Sequence, residues 1–131
     1  SLTNPSNVQG ACPNDWHLPS VAEWTELIDY LGGKEVAGGK MKQTGTIYWL
    51  NPNTGATNES GFSALGAGYI DGSDNSPSEF QNRNYFGYWW TATKESESKA
   101  KEVLLLYNDV LAEIGVYNMS SGNCVRCIKD E

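Results

Sequence analysis

Basic residues are scarce in this chain: Lys and Arg number 9 against 16 Asp and Glu, with a single His, for a formal net charge of -7 at pH 7. No segment gathers the few Lys and Arg, which excludes a nucleic-acid groove or an anionic membrane surface as the natural partner. Long apolar runs are missing as well. None approaches the roughly 20 residues of a membrane span, so membrane insertion by this domain is not expected. No Gly-x-Ser-x-Gly elbow, phosphate-binding glycine loop or His-Glu-x-x-His occurs, which removes the hydrolase, nucleotide and zinc-protease classes that depend on those motifs. No internal repeat and no targeting segment is evident, so Ser1 reads as a mature start or a fragment edge.

What remains is an acidic, aromatic-rich chain of 131 residues, 39% hydrophobic and 11% aromatic, the size of one domain. Fourteen Gly, with frequent Asn and Ser, predict short strands joined by long loops. Ser20 followed by Glu23 makes a capping box, and Val21, Trp24, Leu27, Ile28 and Leu31 share one helical face. A helix is therefore expected over 20–31, stopped by Gly32-Gly33, with Glu23, Glu26 and Asp29 on its wet side. A short helix is expected around Lys40-Met41-Lys42, and a turn at Asn51-Pro52-Asn53-Thr54-Gly55. Strand-like character follows over 61–70, and a polar loop over 71–84. Strands are then expected at 86–93, 103–107, 110–116 and 124–129, with a charged turn over 95–101 and a hairpin around Asn108-Asp109. The fold class is α+β, a helix followed by a small antiparallel assembly.

The cysteines are Cys12, Cys124 and Cys127. A zinc site would need all three together with His17. A thioredoxin-type pair would sit at a helix N-terminus, whereas Cys124-Val125-Arg126-Cys127 lies in an alternating, strand-like run. The remaining reading is a disulfide from Cys12 to Cys127 or Cys124. The two thiols point to opposite faces of a strand, so only one meets Cys12; Cys127 is favoured. Such a bond implies an oxidising compartment.

Several stretches are more specific: Ala11-Cys12-Pro13-Asn14-Asp15-Trp16-His17-Leu18-Pro19-Ser20 leading into Glu23-Trp24; Ala37-Gly38-Gly39-Lys40-Met41-Lys42; residues 53–65; Gly87-Tyr88-Trp89-Trp90-Thr91-Ala92-Thr93; and Val125-Arg126-Cys127-Ile128-Lys129-Asp130. In this order they resemble the Fibrobacter succinogenes major paralogous domain family, secreted proteins and lipoproteins mostly of Bacteroidetes and Fibrobacteres. The resemblance spans roughly residues 10–130. It implies a C-type lectin-like fold with the chain ends close together, related to the formylglycine-generating-enzyme type. It also supports Cys127 as the partner of Cys12, while Cys124 departs from the family pattern. The short stretch before Cys12 implies a fragment or the last domain of a longer surface protein. The resemblance hands over no catalytic residues.

Calcium-dependent lectins hold their metal through two short tripeptides, which Asn51-Pro52-Asn53 and Tyr107-Asn108-Asp109 echo, but in the wrong order along the chain. Both also make ordinary turns. Glu59, Asp71, Asp74 and Asp109 are the weak calcium candidates by oxygen chemistry, and no other cofactor is expected. Trp89 and Trp90 point to opposite strand faces, one to the core and one free to stack on a ligand. His17 reads as a structural hydrogen-bonding residue where the helix begins. The ligand-binding candidates are Tyr69, Asp71, Asn75, Arg83, Tyr85, Trp89, Tyr107, Asn108, Asp109 and Tyr117, on loops around 69–86 and 107–120. Long polar loops rich in Asn, Ser and Tyr on a stapled scaffold suit adaptable recognition. The expected function is a non-catalytic extracellular or cell-surface domain that binds glycan or protein. The alternatives are an adhesion module and a metal-dependent oxidase of the formylglycine-generating type, whose cysteine site Cys124 and Cys127 do not reproduce.

Overall fold

The structure is a computed structural model and describes residues 5–72 and 79–131. Helix α1 spans Val21–Tyr30 and forms where its local chemistry dictates. The Ser20 side chain accepts from the Glu23 N–H, and the Glu23 carboxylate accepts from the Ser20 N–H at 3.1 Å, the capping box read from the sequence. Gly32 and Gly33, at φ of 107° and 99°, end the helix in the left-handed region that glycine enters without strain. Trp24 and Ile28 bury its apolar face, and Leu31 extends that face past the last turn. A five-residue helix, α2, follows at Ala37–Met41.

Among the described residues, two antiparallel sheets complete the fold. Strands β2 (Phe86–Lys94), β3 (Lys99–Leu106) and β4 (Ala112–Asn118) run in the order β2-β3-β4. Strand β1 (Trp16–His17) pairs with β5 (Ile128–Lys129), so the two ends of the described chain meet. Cys12 and Cys127 are joined beside this pair by a disulfide across 115 residues, with Cα atoms 5.8 Å apart.

Cross-strand register assigns the faces of the larger sheet. Gly87, Trp89, Val103, Leu105 and Ala112 share the face that meets α1, where Trp24 lies 6.5 Å from Trp89 and 5.7 Å from Phe62, ring centre to ring centre. Trp49 and Met41 are wholly enclosed in the same core, and the Trp49 indole donates to the Ala64 carbonyl at 2.8 Å. The opposite face presents Tyr88, Trp90, Glu102, Leu104 and Tyr117.

Five expectations need correction. Strand β3 begins at Lys99, inside the charged turn expected over 95–101, because its first residues pair with Tyr117 and Asn118 of β4. The strand expected over 61–70 is reduced to isolated bridges at Ala64, Gly68, Tyr69 and Ile70. At Gly68, φ is 70° and a Cβ would lie 1.9 Å from the Gln81 carbonyl oxygen, so the chain turns there against its neighbour. The run 124–129 is split between two pairings, Cys124 with Trp89 and Ile128–Lys129 with β1. Strand β4 begins at Ala112 rather than 110 because the Asp109 carboxylate accepts from the N–H groups of Val110 and Leu111, holding them in a turn. Glu23 is not on the wet side: its side chain is 8% exposed and bound to His17.

Candidate functional site

Two clusters of polar side chains are built around a buried ionisable group, His17 in one and Glu102 in the other. The first joins the chain ends. His17 sits between two carboxylates, with Nε2 2.8 Å from Glu23 Oε2 and Nδ1 2.6 Å from Asp130 Oδ1. With both carboxylates ionised, both ring nitrogens must donate, which is the imidazolium form. The hydrogen bond to Glu23, followed by that to Asp130, raises the His17 pKa above its ordinary value. Burial pushes the Glu23 carboxyl up, but the His17 bond and the backbone N–H groups of Ser6 and Ser20 outweigh it and leave the pKa below the usual range. Every group here has its partner. The cleft of about 1330 Å³ beside it, bordered by Asp15, Trp16, Glu26 and Tyr30, lies over a finished clasp.

Lys42 forms another satisfied arrangement. It is fully buried, and its ammonium donates to the carbonyls of Thr54, Leu106 and Asp109 at 2.9, 2.8 and 2.9 Å. Burial lowers its pKa to about 8, against the pull of Asp109, so it remains largely charged at neutral pH.

The second polar cluster is unfinished. On the sheet face away from α1, Tyr69, Asn82, Tyr88, Glu102, Tyr117 and Asn123 line a hollow of about 250 Å³. Strands supply Tyr88, Glu102 and Tyr117; bridged loop segments lay Tyr69 and Asn123 across them. Glu102 faces Gly115 in register across the β3–β4 pairing. Glu102 is 6% exposed, and its Oε2 accepts from Asn123 Nδ2 at 2.6 Å. Burial, partly offset by that bond, raises its pKa. Asn123 Oδ1 is buried with no hydrogen-bond partner among the described residues. The Tyr69 ring meets Tyr88 at 72° and Tyr117 at 78°. A hydrogen bond to Tyr69, then burial, pushes the Tyr117 pKa up to about 12; burial raises that of Tyr88. The hollow offers flat aromatic surface beside buried polar atoms, the composition of a small-ligand site.

The structure therefore gathers Tyr69 and Tyr117 of the expected binding residues, with Asp71 half-buried and close enough to influence Tyr117. Arg83 borders a separate apolar hollow with Tyr48, Leu65 and Phe80. Tyr85 and Tyr107 pack edge to face 5.2 Å apart, and Asn108 is exposed in the β3–β4 turn. Trp89 is 5% exposed and belongs to the core, since its alternation places it with Val103 on the α1 side; Trp90 is the half-buried one. Asn75 and Asp74 lie outside the described residues. Asp109 is engaged by its own turn, and Glu59 accepts from the Thr57 hydroxyl at 3.3 Å. No three of His, Cys, Asp and Glu converge as a metal cluster among the described residues. The zinc arrangement fails because Cys12 and Cys127 are bonded to one another, leaving Cys124 as a half-buried thiol whose pKa burial raises. Sequence reasoning missed Glu102, Asn82 and Asn123. The one available signal was Glu102 itself, a lone acid heading the apolar run Val103-Leu104-Leu105-Leu106 on the face of Leu104 and Leu106.

Fold and site together define a small α+β domain, closed by a disulfide between its ends, with an aromatic hollow on the free face of its sheet. The chain matches the family model of the Fibrobacter succinogenes major domain over residues 2–129 and belongs to that family. No curated protein and no solved structure matches it.

Proposed function

We propose that this is a non-catalytic, C-type lectin-like binding domain displayed outside the cell, and that it recognises glycan through the hollow of Tyr69, Tyr88 and Tyr117. The observation that carries the reading is the joining of those three rings to the polar side chains of Asn82, Glu102 and Asn123 in one concavity. Sugars present an apolar C–H face and a rim of hydroxyls. Aromatic rings take the first, and amide and carboxylate oxygens order the second. The disulfide fits an oxidising compartment, and among the described residues no helix is long and apolar enough to cross a membrane.

A glycan array run on the oxidised domain, with calcium and again with chelator, tests the reading. Binding is expected to survive chelation, because aromatic stacking needs no metal, and to fall about tenfold or more in Tyr69→Ala. Absence of binding in both conditions overturns it. The adhesion reading would then stand on a different observation: Ile47, Tyr48, Leu50, Leu65 and Phe80 are exposed at 81, 47, 40, 40 and 50% along neighbouring loops, an apolar surface suited to a protein partner.

A further inference from the structure

We infer that the tyrosine hollow takes a primary ammonium group, so that its ligand class is a glycan carrying free amino sugars. The inference deepens the glycan reading and rests on it.

Charge and hydrogen-bond supply both carry the inference. Glu102 is a carboxylate 6% exposed, yet no ion pair reaches it among the described residues, and no Lys, Arg or His lines the hollow. Among the described residues its one hydrogen bond comes from a neutral amide, Asn123 Nδ2, which uses Oε2 and leaves Oε1 free to accept. Buried charges in folded proteins are normally paired, because desolvation of a lone one is costly. Asn123 adds a buried acceptor, Oδ1, with nothing to accept from among the described residues. The remaining walls push the same way. Aromatic faces carry the negative side of the ring quadrupole, and Tyr69 stands nearly perpendicular to Tyr88 and Tyr117, so that faces of different orientation border one small space. The charged neighbour that acts on Tyr117, Asp71, is again acidic, and the whole chain carries -7.

A cation with N–H donors answers each of these at once. A quaternary ammonium satisfies the rings but donates nothing. A primary ammonium has three donors and no acceptor, enough for Glu102 Oε1 and Asn123 Oδ1 with one to spare. On a sugar ring, the ammonium stands beside a C–H face that the tyrosines can stack on. An N-acetylated sugar has lost the charge, and a plain hydroxyl brings none.

Three β-1,4-linked oligosaccharides of equal length that differ at carbon 2 test this: glucosamine, N-acetylglucosamine and glucose oligomers, titrated into the oxidised domain at about 0.15 M salt, where long-range attraction to the acidic surface is screened. The glucosamine oligomer is expected to bind about tenfold more tightly than the glucose oligomer. Glu102→Gln, which keeps the shape and removes the charge, is expected to abolish that preference. Tyr69→Ala, which keeps the charge, is expected to weaken all three. Affinity for the glucosamine oligomer should also fall as pH drops through the Glu102 pKa, since the protonated carboxyl attracts no cation; Tyr69, Tyr88, Tyr117 and Asp71 are the other titrating groups around the hollow. Equal affinity for glucosamine and glucose oligomers, or a preference that Glu102→Gln leaves intact, overturns the inference while the glycan reading survives. Array binding confined to sugars without amino groups does the same. Silence of all three oligomers and of the array sinks both.

Discussion

His17 shows how much a single side chain can hold when its two ring nitrogens find separate carboxylates. Glu23 belongs to α1 and Asp130 follows β5, so one imidazolium ties the first helix to the far end of the chain. The pH dependence of this clasp has a definite sign. The fold raises the His17 pKa above 6.5, so its contribution is fully present below 6.5 and is lost as pH rises through the higher folded value. The fold lowers the Glu23 pKa below 4.5, so that contribution is present above 4.5 and is lost as pH falls through the lower folded value. The clasp is therefore strongest between those limits, in weak acid. His17→Gln is expected to cost about 2 kcal/mol near pH 6, in the range of hydrogen bonds to charged groups. The cost should shrink as pH climbs past the raised His17 value. Urea unfolding of both proteins across a pH series measures it, and a difference that stays flat with pH would mean that the ring acts neutral.

At the scale of elements, what was legible in the sequence is what neighbours along the chain determine. The first helix could be read because Ser20 and Glu23 cap it, Gly32-Gly33 end it, and its apolar spacing is unbroken. Strands β2 and β4, the apolar half of β3 and the hairpin turn at Asn108-Asp109 were legible for the same reason, whereas the charged first half of β3 was not. Contacts made across the fold were not. Nothing near Glu102 in the chain announces Asn123, and the reversal of Gly68 depends on the Gln81 carbonyl. Glu23 looked solvated because its partners, His17 and the Ser6 N–H, lie outside the helix. Lys42 is the clearest case: it follows α2, yet its ammonium fastens the loop at Thr54 and the β3–β4 connection at Leu106 and Asp109. Lys42→Met keeps much of the stem but leaves three carbonyls without a donor. It is expected to cost about 3 kcal/mol, one unmet acceptor at a time. Chemical denaturation reads the loss. Hydrogen exchange should locate it in residues 53–56 and 106–111, rather than in α1.

At the scale of the whole molecule, the two sheets are held in unequal ways. The three-stranded sheet has a core on one face, whereas β1 and β5 share only two register pairs, Trp16 with Lys129 and His17 with Ile128. A pairing so short is not stable alone. The closure of the domain therefore depends on the His17 clasp and on the Cys12–Cys127 bond. That bond closes a loop across 115 residues, and the chain-entropy treatment assigns such a loop about 4–5 kcal/mol. Cys127→Ser is expected to lose an amount of that order under oxidising conditions, and Cys124→Ser only about 1 kcal/mol, since Cys124 is a half-buried thiol bonded to no other cysteine. The two closures should also be coupled. Without the disulfide, β5 is freer to leave β1 and carries Asp130 away from His17. Cys127→Ser combined with His17→Gln should therefore cost less than the sum of the single variants. Urea unfolding of the five proteins, with and without reductant, separates these contributions. Reductant should bring the natural chain to the stability of Cys127→Ser and lower Cys124→Ser by the same step. Full additivity would mean that β5 stays docked through the clasp alone, and that the disulfide acts only on the unfolded chain.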